Sequence, residues 1–314
     1  MNINNSKSIS TNMFVKGLKP YWKYRTLFIL AVPGFALLIL FNYVPMYGIT
    51  LAFKDFKIMR GIIGSPWVGF ENFRSLFSLA MFWRAAINTI YISLLSILFG
   101  FPAPIIFALL LNEIRVSSLK RTIQTISYLP HFLSWVVVAG LMFDLLSPTR
   151  GTVNHILGYF NVKPIMFLGE SAYFRPILIV SGIWKGVGWG SIIYLASISN
   201  INLELYESSV IDGAGRLKQA IYITIPGLLP VITIFLILSA GSIFSSNFDQ
   251  IFNLYNPMVY DVGDVLSTYI YRVGLQQLQF SLGTATGFLT NVINFLLIIG
   301  TNYFVRSFSE YTIW

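Results

Sequence analysis

The chain has 314 residues and a formal net charge of +9; 55% of its residues are hydrophobic, only 11% are charged, and none is cysteine. A soluble domain carries about 25% charged residues, so this composition excludes an ordinary soluble protein and indicates one that lives in a lipid bilayer. Without cysteine there is no disulfide or thiolate metal site, and His131 and His155 lie in unrelated segments, so no metal site is predicted. Basic residues flank the apolar runs and form no single basic face, so nucleic acid is not a predicted partner.

Six runs free of Asp, Glu, Lys and Arg predict membrane-spanning helices, because each is near or above the roughly 18 residues of a span. They are 26–53, 85–112, 122–143, 186–203, 219–248 and 273–305. We expect the fourth helix to begin near Pro176 and to include Lys185, and the sixth run to include an interfacial lead-in. The first run is too long for a signal peptide and is predicted to be an uncleaved first helix. The predicted fold class is all-α, a polytopic membrane protein with six transmembrane helices.

The distribution of Lys and Arg predicts that both termini are cytoplasmic. Their density is about twice as high in the tails and even-numbered loops as in the opposite loops, and cytoplasmic loops are the basic ones. The predicted cytoplasmic segments are 1–25, 113–121, 204–218 and 306–314. The larger extracytoplasmic loops are then 54–84 and 144–175, and 85–305 forms a core of five helices.

A charged stretch, ESSVIDGAGRLKQAIYITIP at 207–226, lies in the predicted cytoplasmic loop between the fourth and fifth helices. Apolar residues step through it by three or four, which predicts one face of a helix over 203–218. That face comprises Leu203, Tyr206, Val210, Ala214, Leu217 and Ile221. Glycine would follow, and Pro226 would stand at the start of the next helix. By pattern alone, this helix could simply lie on lipid headgroups.

The same stretch resembles the EAA motif of ABC importer permeases, in which Glu-Ala-Ala is followed by Gly and then by Ile-x-Leu-Pro. Glu207, Gly213, Ile223 and Pro226 fall on the motif positions. Ser208, Ser209 and Ile225 replace Ala, Ala and Leu with side chains of similar size. The triplet Asp212-Gly213-Ala214 is typical of the sugar-importing branch.

Other stretches carry the resemblance over about 70–305. They are Val68-Gly69-Phe70-Glu71-Asn72-Phe73, Asn88-Thr89, Tyr128-Leu129-Pro130-His131-Phe132 and Asn247-Phe248-Asp249-Gln250. The third of these, together with Tyr206-Glu207, is most similar to permeases for complex oligosaccharides, the group that includes pectin- and alginate-fragment importers.

This resemblance implies a type I ABC importer permease working with several partners. These are a second homologous permease subunit, a cytoplasmic ATPase dimer, an extracytoplasmic sugar-binding protein, an oligosaccharide substrate and membrane lipid. The chain has no G-x-x-x-x-G-K-[ST] phosphate loop, so we expect no catalytic residue and no bound cofactor here, with ATP and Mg on the partner ATPase. The glycines of Gly186-Val187-Gly188-Trp189-Gly190 are better explained by close helix packing than by a ligand.

The resemblance also assigns the residues that would couple this chain to the ATPase. Glu207 would pair with a basic group in a groove of the ATPase. Gly213 would allow a tight bend or a close approach. The whole expected set is Glu207, Ser208, Ser209, Asp212, Gly213, Ala214, Ile223 and Pro226.

Polar and aromatic side chains inside apolar runs are the candidates for a sugar path. They are Asn88, Trp184, Lys185, Trp189, Tyr194, Asn247, Asn291 and Asn294. Interhelical hydrogen bonding is the alternative for each Asn, and interfacial anchoring or packing is the alternative for the Trp residues. Lys185, deep in a span, could attract an acidic sugar or pair with Asp144 or Asp249.

Two other classes of membrane protein are alternatives, a secondary transporter or channel and a glycan enzyme. A secondary transporter or channel, which needs no ATPase, would be expected to show inverted repeats, and the two halves show no convincing repeat. A membrane-embedded glycan enzyme would need paired carboxylates. Asp261 and Asp264 are such a pair, but two acids without further support are better explained as a solvated turn.

Overall fold

The computed structural model describes residues 24–244 and 247–307, and these residues are almost entirely helical. Most of the two predicted cytoplasmic tails, 1–25 and 306–314, lies outside the described residues. Within the described range, the β-type pairing is limited to one isolated bridge between Lys54 and Trp67. The all-α prediction is therefore confirmed.

The principal helices are α1 (Arg25–Phe53), α2 (Glu71–Ser78), α3 (Ala80–Asn112), α4 (Ser117–Phe132), α5 (Trp135–Leu145), α6 (Thr152–Tyr159), α7 (Ser171–Ser199), α8 (Leu203–Ile211), α9 (Arg216–Ala240), α10 (Phe248–Leu254), α11 (266–276) and α12 (Phe280–Arg306). Five of them, α1, α3, α7, α9 and α12, have 25 to 33 residues and are apolar enough to cross a bilayer alone. About 20 residues suffice for a span. With the pair α4 and α5 counted as one, the described residues contain six candidate spans.

The third span is broken, which corrects the single helix predicted over 122–143. The axes of α4 and α5 meet at 102°. Pro130 lies in a 3₁₀ turn, Leu129–Phe132, and Leu133 and Ser134 are extended. Proline cannot supply the N–H of a continuing helix, and Ser134 starts the next one by accepting a hydrogen bond from the Val137 N–H at 3.3 Å.

The last two runs also differ from the prediction. The fifth, predicted as 219–248, ends at Ala240, where Gly241 packs so closely on Ile298 that a Cβ atom would lie 2.1 Å from it. The sixth, predicted as 273–305, is divided because Leu278 has a φ of 57°. A helix cannot continue through that left-handed conformation, so α11 turns back and α12 begins at Phe280.

The core is organised around α7, which begins at Ser171, earlier than predicted, and keeps Pro176 in its second turn. Near its start, Phe174 and Leu178 pack in a buried cluster with Ile251 and Leu254 of α10. Near its end, Tyr194 and Ile198 pack with Leu228 of α9. By contrast, none of the first 14 residues of α1 is buried, so only the end of this helix, where Ala52 packs with Phe73 and Ala285, belongs to a core cluster.

Candidate coupling loop and transport path

The loop after α7 forms a short helix, α8, that ends in a glycine turn. Asn202 caps its start by accepting a hydrogen bond from the Glu204 N–H at 3.0 Å. Gly213 adopts a φ of +75°, and the Ala214 N–H returns to the Ser209 carbonyl at 2.8 Å. Glycine enters this left-handed conformation at little cost, which is a common way to end a helix. The helix predicted over 203–218 therefore stops at Ile211.

Gly213 has open space around it, since a Cβ atom there would meet nothing within 4 Å. Of the two reasons for glycine considered from the sequence, a bend or a close approach, the structure shows the bend.

One side of α8 is fixed to α9 by side-chain hydrogen bonds. The Tyr206 hydroxyl lies 2.9 Å from Thr224 Oγ1, and the Gln219 amide donates to Ser209 Oγ at 3.0 Å. Both contacts are part-buried, so two side-chain hydrogen bonds attach α8 to the start of α9.

The other side of α8 is exposed. Glu207 and Ser208 face outward, and Ile211 is 87% exposed. The predicted apolar face is not one buried stripe: Tyr206 and Ala214 are half-buried and the rest are exposed, namely Leu203, Val210, Leu217 and Ile221. An exposed surface of this kind, with apolar residues around the carboxylates of Glu204 and Glu207, suits contact with another protein.

The remaining coupling candidates lie beyond the turn. Asp212 is exposed, and Ile223 is half-buried in a π-helical turn at Ala220–Thr224. Pro226 stands in the first turn of the α-helical stretch Ile225–Ala240, as predicted, and the π turn joins that stretch to the earlier part of α9. The π turn accommodates the hydrogen bond that proline cannot make. In addition, Arg216 bridges to Glu113 of the α3–α4 loop at 3.5 Å, although both side chains are largely exposed and such pairs contribute at most about 1 kcal/mol.

A cavity of about 250 Å³ lies between α3, α5, α7 and α10. Trp135, Gly182, Gly186, Asn247 and Gln250 contribute to its wall. Of the predicted path residues, only Asn247 lines this cavity, where its φ of 65° opens α10. Asn tolerates this conformation better than most residues.

Lys185 lies beside the cavity and contacts no carboxylate. Its ammonium group donates to the His131 carbonyl at 2.7 Å and lies 5.6 Å from the centre of the Trp135 ring. Asp144 bonds instead to Arg150, at 3.1 Å. Among the described residues no salt bridge joins Lys185 to Asp249 either, so the proposed buried ion pairs are not formed.

The aromatic candidates separate into two groups. The Trp189 ring stacks on His131 at 4.5 Å with an angle of 3°, and both Trp189 and Trp184 are exposed. Tyr194 is 4% exposed and packs in the core, and it shares with Trp189 the wall of a further cavity of about 500 Å³ between α3, α7 and α9. His131 was missed as a partner because only the break at Pro130 brings it against α7.

Two of the Asn candidates make interhelical hydrogen bonds, in agreement with the alternative drawn from the sequence. The Asn88 amide donates at 3.0 Å to the carbonyls of Asp261 and Asp264, and its oxygen accepts from Arg175 at 2.8 Å. Asn294 accepts from the Phe244 N–H at 3.1 Å. Asn291 borders a separate, mostly apolar cavity of about 640 Å³ between α1, α11 and α12. The predicted path set is therefore not gathered in one place.

Two further residues, Gln250 and Arg175, are functional candidates that the sequence did not indicate. The Gln250 amide donates to the Leu178 carbonyl at 2.6 Å and to Ser181 Oγ at 3.0 Å, fixing α10 to α7 at the cavity. The Arg175 guanidinium lies 4.3 Å from the centre of the Tyr91 ring. Gln250 belongs to the stretch Asn247-Phe248-Asp249-Gln250 that carries the family resemblance, so the sequence offered a signal for it.

The carboxylates of Asp261 and Asp264 do not form a catalytic pair. Asp264 is buried, bonds to Arg272 and accepts from Thr268 Oγ1 at 2.9 Å, while Asp261 accepts from the Ser171 hydroxyl at 3.1 Å. Burial raises the pKa of the Asp264 carboxyl, and the Arg272 guanidinium opposes that rise. These contacts hold the α10–α11 loop in place and leave no second carboxylate beside Asp264.

The glycine-rich segment of α7 is largely a packing surface. A Cβ atom on Gly188 would lie 2.1 Å from the Ser127 carbonyl oxygen of α4, and one on Gly190 would lie 3.0 Å from Pro104 of α3. Gly186 has nothing within 4 Å and faces the cavity. The packing explanation therefore holds for two of the three glycines.

Up to six membrane spans among the described residues, a small cavity with Asn247 and Gln250 in its wall and an exposed helix in one loop define a membrane permease subunit. The chain belongs to the family described as binding-protein-dependent transport system inner membrane component, which it matches over residues 100–310. This is a family of transport subunits, and the resemblance to ABC importer permeases is thereby confirmed.

Relatives and solved structures agree with this assignment. Protein LplB of Bacillus subtilis (strain 168) is 38% identical over 284 residues, 90% of this chain and 89% of that protein. The polygalacturonan/rhamnogalacturonan transport system permease protein YteP of the same strain is 40% identical over 90% of this chain and 88% of its own length.

A crystal structure of a bacterial ABC transporter involved in the import of the acidic polysaccharide alginate contains a chain that is 40% identical, with a TM-score of 0.87, covering 95% of this chain and 100% of that one. A bacterial alginate ABC transporter in complex with an alginate pentasaccharide-bound periplasmic protein gives 39% identity and a TM-score of 0.88, covering 94% and 99% of the two chains.

Proposed function

We propose that this chain is one of two permease subunits of an ATP-driven importer for acidic oligosaccharides, and that α8 carries its contact with the ATPase. The observation that carries the coupling proposal is the geometry of α8: it is bonded to α9 on one side and exposes Glu207 and apolar side chains on the other. The helix therefore has both a rigid connection to the membrane core and a free surface for a partner.

The substrate proposal rests on relatives and on charge. YteP is named for polygalacturonan and rhamnogalacturonan transport, and the similar solved transporter imports acidic alginate. Lys185 supplies an intramembrane cation whose partner is a carbonyl, so its positive charge is not neutralised by an acid within the described residues. Such a charge would attract an acidic sugar such as a uronate. Trp189 stacked on His131 adds an exposed aromatic face of the kind that sugars contact.

The proposed partners follow from the same class of transporter. They are a second homologous permease, an ATPase dimer that binds ATP and Mg, and an extracytoplasmic sugar-binding protein; no cofactor is assigned to this chain. When the ATPase subunits close, each would move the α8 lodged in its groove. Because α8 is bonded to α9, the movement would pass into the core as a rigid-body rotation that changes access to the sugar path.

The test is reconstitution of the permease pair with its ATPase, comparing Glu207→Ala with the control Glu204→Ala one turn earlier. We expect Glu207→Ala to weaken ATPase association by about 1–3 kcal/mol, because it removes a charge-assisted hydrogen bond. The control should retain association. The measurements are co-purification of the ATPase and hydrolysis stimulated by the sugar-loaded binding protein. Equal association and stimulation in both variants would refute the coupling role, and sugar uptake without any ATPase would favour a secondary transporter.

A further inference from the structure

The loop that follows α1 exposes a cluster of large apolar side chains. This post-α1 loop comprises residues 54–70, and Met59 and Ile63 in it are 99% and 84% exposed. Its apolar face is formed by Ile58, Met59, Ile63, Trp67 and Phe70. Removing large apolar side chains from water is favourable, so five of them exposed in one short loop indicate a surface that contacts something other than water.

Hydrogen bonds at the base of the loop fix its conformation, and with it the exposure of these side chains. The Asp55 N–H donates to the Pro66 carbonyl at 3.0 Å, and the Val68 N–H donates to the Phe53 carbonyl at 2.9 Å. The Asn72 amide adds bonds to the carbonyls of Ala52 and Lys54 at 2.9 and 3.0 Å. These contacts hold the two ends of the loop together, so its side chains point outward from a rigid support.

Several polar groups of the loop are bonded within it, whereas its large apolar side chains face outward. The Lys54 ammonium donates to the Ile62 carbonyl at 2.8 Å. The buried Ser65 hydroxyl donates to the Gly61 carbonyl at 2.6 Å and accepts from the Lys57 N–H at 3.0 Å. With its polar groups satisfied internally, the loop can face an apolar phase without leaving them unpaired.

The loop stands at the level where α1 ends. The Trp67 ring stacks on Phe53, the last residue of α1, at 5.6 Å with an angle of 7°, and Phe70 meets the same ring edge-on at 5.5 Å. The end of a span marks the boundary between hydrocarbon and headgroups, where Trp is enriched. The apolar face therefore continues the exposed apolar surface of α1 at the height of a bilayer interface.

The charges of the loop fit the same surroundings. Residues 54–70 contain Lys54, Lys57 and Arg60 but only one acid, Asp55, so the loop is net positive. Arg60 is exposed next to Met59, and Lys57 bonds to Asp55 at 3.0 Å with half of its side chain accessible. Exposed basic groups beside an apolar face, here Arg60 and Lys57, are attracted to anionic headgroups.

We propose that the apolar face of the post-α1 loop lies in the headgroup region of the bilayer and binds anionic lipid there, anchoring that end of α1. The inference needs only that α1 spans the membrane, so it stands independently of the proposed substrate and ATPase partner.

The absence of cysteine allows a direct test with one environment-sensitive fluorophore. Met59→Cys is labelled in the purified chain in nanodiscs of phosphatidylglycerol and phosphatidylethanolamine, with Lys163→Cys, an exposed position in the loop between α6 and α7, as the matched control. We expect blue-shifted emission at position 59, loss of that emission when nitroxides are attached to the lipid near the headgroups, and a smaller shift when phosphatidylglycerol is omitted. The control should emit as in water under all three conditions.

Two results would overturn the proposal. Water-like emission in the chain alone, shifting only when other subunits co-purify, would make the face a protein docking surface. Blue-shifted emission that lipid nitroxides leave unchanged would mean that another part of a protein covers it. Because Met59 is almost completely exposed, its replacement by cysteine tests the surface without disturbing the fold.

Discussion

Lys185 shows how a charged residue can remain inside a membrane span. Its ammonium group bonds to the His131 carbonyl at a place where the helix break leaves backbone groups available. A cation satisfied by a neutral carbonyl keeps its net charge, whereas one paired with a carboxylate does not. Position and partner together are the reason why we propose Lys185 as a contact for an acidic substrate.

We predict that Lys185→Met reduces uptake of acidic oligosaccharides while leaving uptake of neutral ones and assembly unchanged. Removing the ammonium leaves one carbonyl without a donor, a cost of about 1–3 kcal/mol, but no uncompensated charge. The measurement is uptake of a uronate oligosaccharide and of a neutral one, with the exposed Lys163→Met as the control. Loss of folded protein from Lys185→Met alone would point to a structural role.

Two glycines of α7, two residues apart, are predicted to respond differently to the same change. Gly188→Ala would place a Cβ atom 2.1 Å from a backbone oxygen that cannot move freely, whereas Gly186→Ala meets nothing within 4 Å. Overpacking of this kind costs about 1–3 kcal/mol, while alanine in a helix is preferred to glycine by about 0.5–1 kcal/mol.

Thermal unfolding in detergent should therefore show a lower midpoint for Gly188→Ala and an unchanged or higher one for Gly186→Ala. Equal midpoints would mean that α4 and α7 leave more space at Gly188 than the 2.1 Å contact indicates.

The fate of the polar candidates shows where sequence reasoning ends at this scale. Asn88 could be recognised as a polar residue in an apolar run, but its partners lie 173 and 176 residues further along the chain. A local sequence pattern cannot identify partners so far along the chain. An Asn that lines a transport path and an Asn that bonds neighbouring helices therefore look alike in sequence. The exposure of Glu207 and the bend at Gly213, which depend on local spacing, could be anticipated.

At the scale of elements, the coupling loop is a short helix joined to a longer one by a left-handed turn. Gly213 and Gly215 both lie in that turn with open space around them, yet only Gly213 has a positive φ. The same substitution made at each glycine in turn therefore separates the effect of backbone conformation from the effect of side-chain size.

We predict that Gly213→Val uncouples ATP hydrolysis from transport while Gly215→Val does not. Valine disfavours the left-handed conformation, so the turn would change shape and α8 would no longer be held in its position relative to α9. Association with the ATPase should persist, because the exposed face of α8 is unchanged. The measurements are co-purification and sugar-stimulated hydrolysis, and identical coupling in both variants would contradict a mechanical role for the turn.

Apolar runs located the spans but not the breaks within them. A run of apolar residues indicates that a segment prefers lipid to water. That preference is the same on both sides of Leu133 or Leu278, so it does not reveal a break at either residue. The breaks arise from Pro130 and from close backbone contact, such as that between Gly274 and Gly283, where a Cβ atom would lie 2.6 Å from the opposite Cα. These are tertiary effects, although Pro130 was a visible signal.

At the scale of the whole molecule, the arrangement of spans can be tested from either side of the membrane. Ser208 is exposed on α8, and its hydroxyl bonds only within the helix, to the Leu205 carbonyl at 3.1 Å. A cysteine at this position would be the only one in the chain.

We predict that Ser208→Cys reacts with a thiol reagent from the cytoplasm alone, and that bound ATPase shields it. Lys163→Cys lies in a predicted extracytoplasmic loop, separated from Ser208 by the single span α7, and should react only from the opposite side. The measurement is labelling of intact cells and inverted vesicles with an impermeant reagent. Reaction of Ser208→Cys in intact cells would reverse the predicted orientation of the chain.

The bonds around Asn88 fix the starting end of α7 to α3 and to the α10–α11 loop, while its other end leads directly into α8. At 1.5 Å per residue, the 29 residues of α7 make a rod about 43 Å long. These bonds hold its starting end, whereas Tyr194 and Ile198 near its far end pack on Leu228 of α9, so that end would move together with α8 and α9. Force applied at α8 would then tilt this rod instead of sliding it along its axis. Gly182 and Gly186 lie near its middle, so a shift of several ångströms at the driven end would become about half as large at the cavity, enough to change its width while the pinned end stays still.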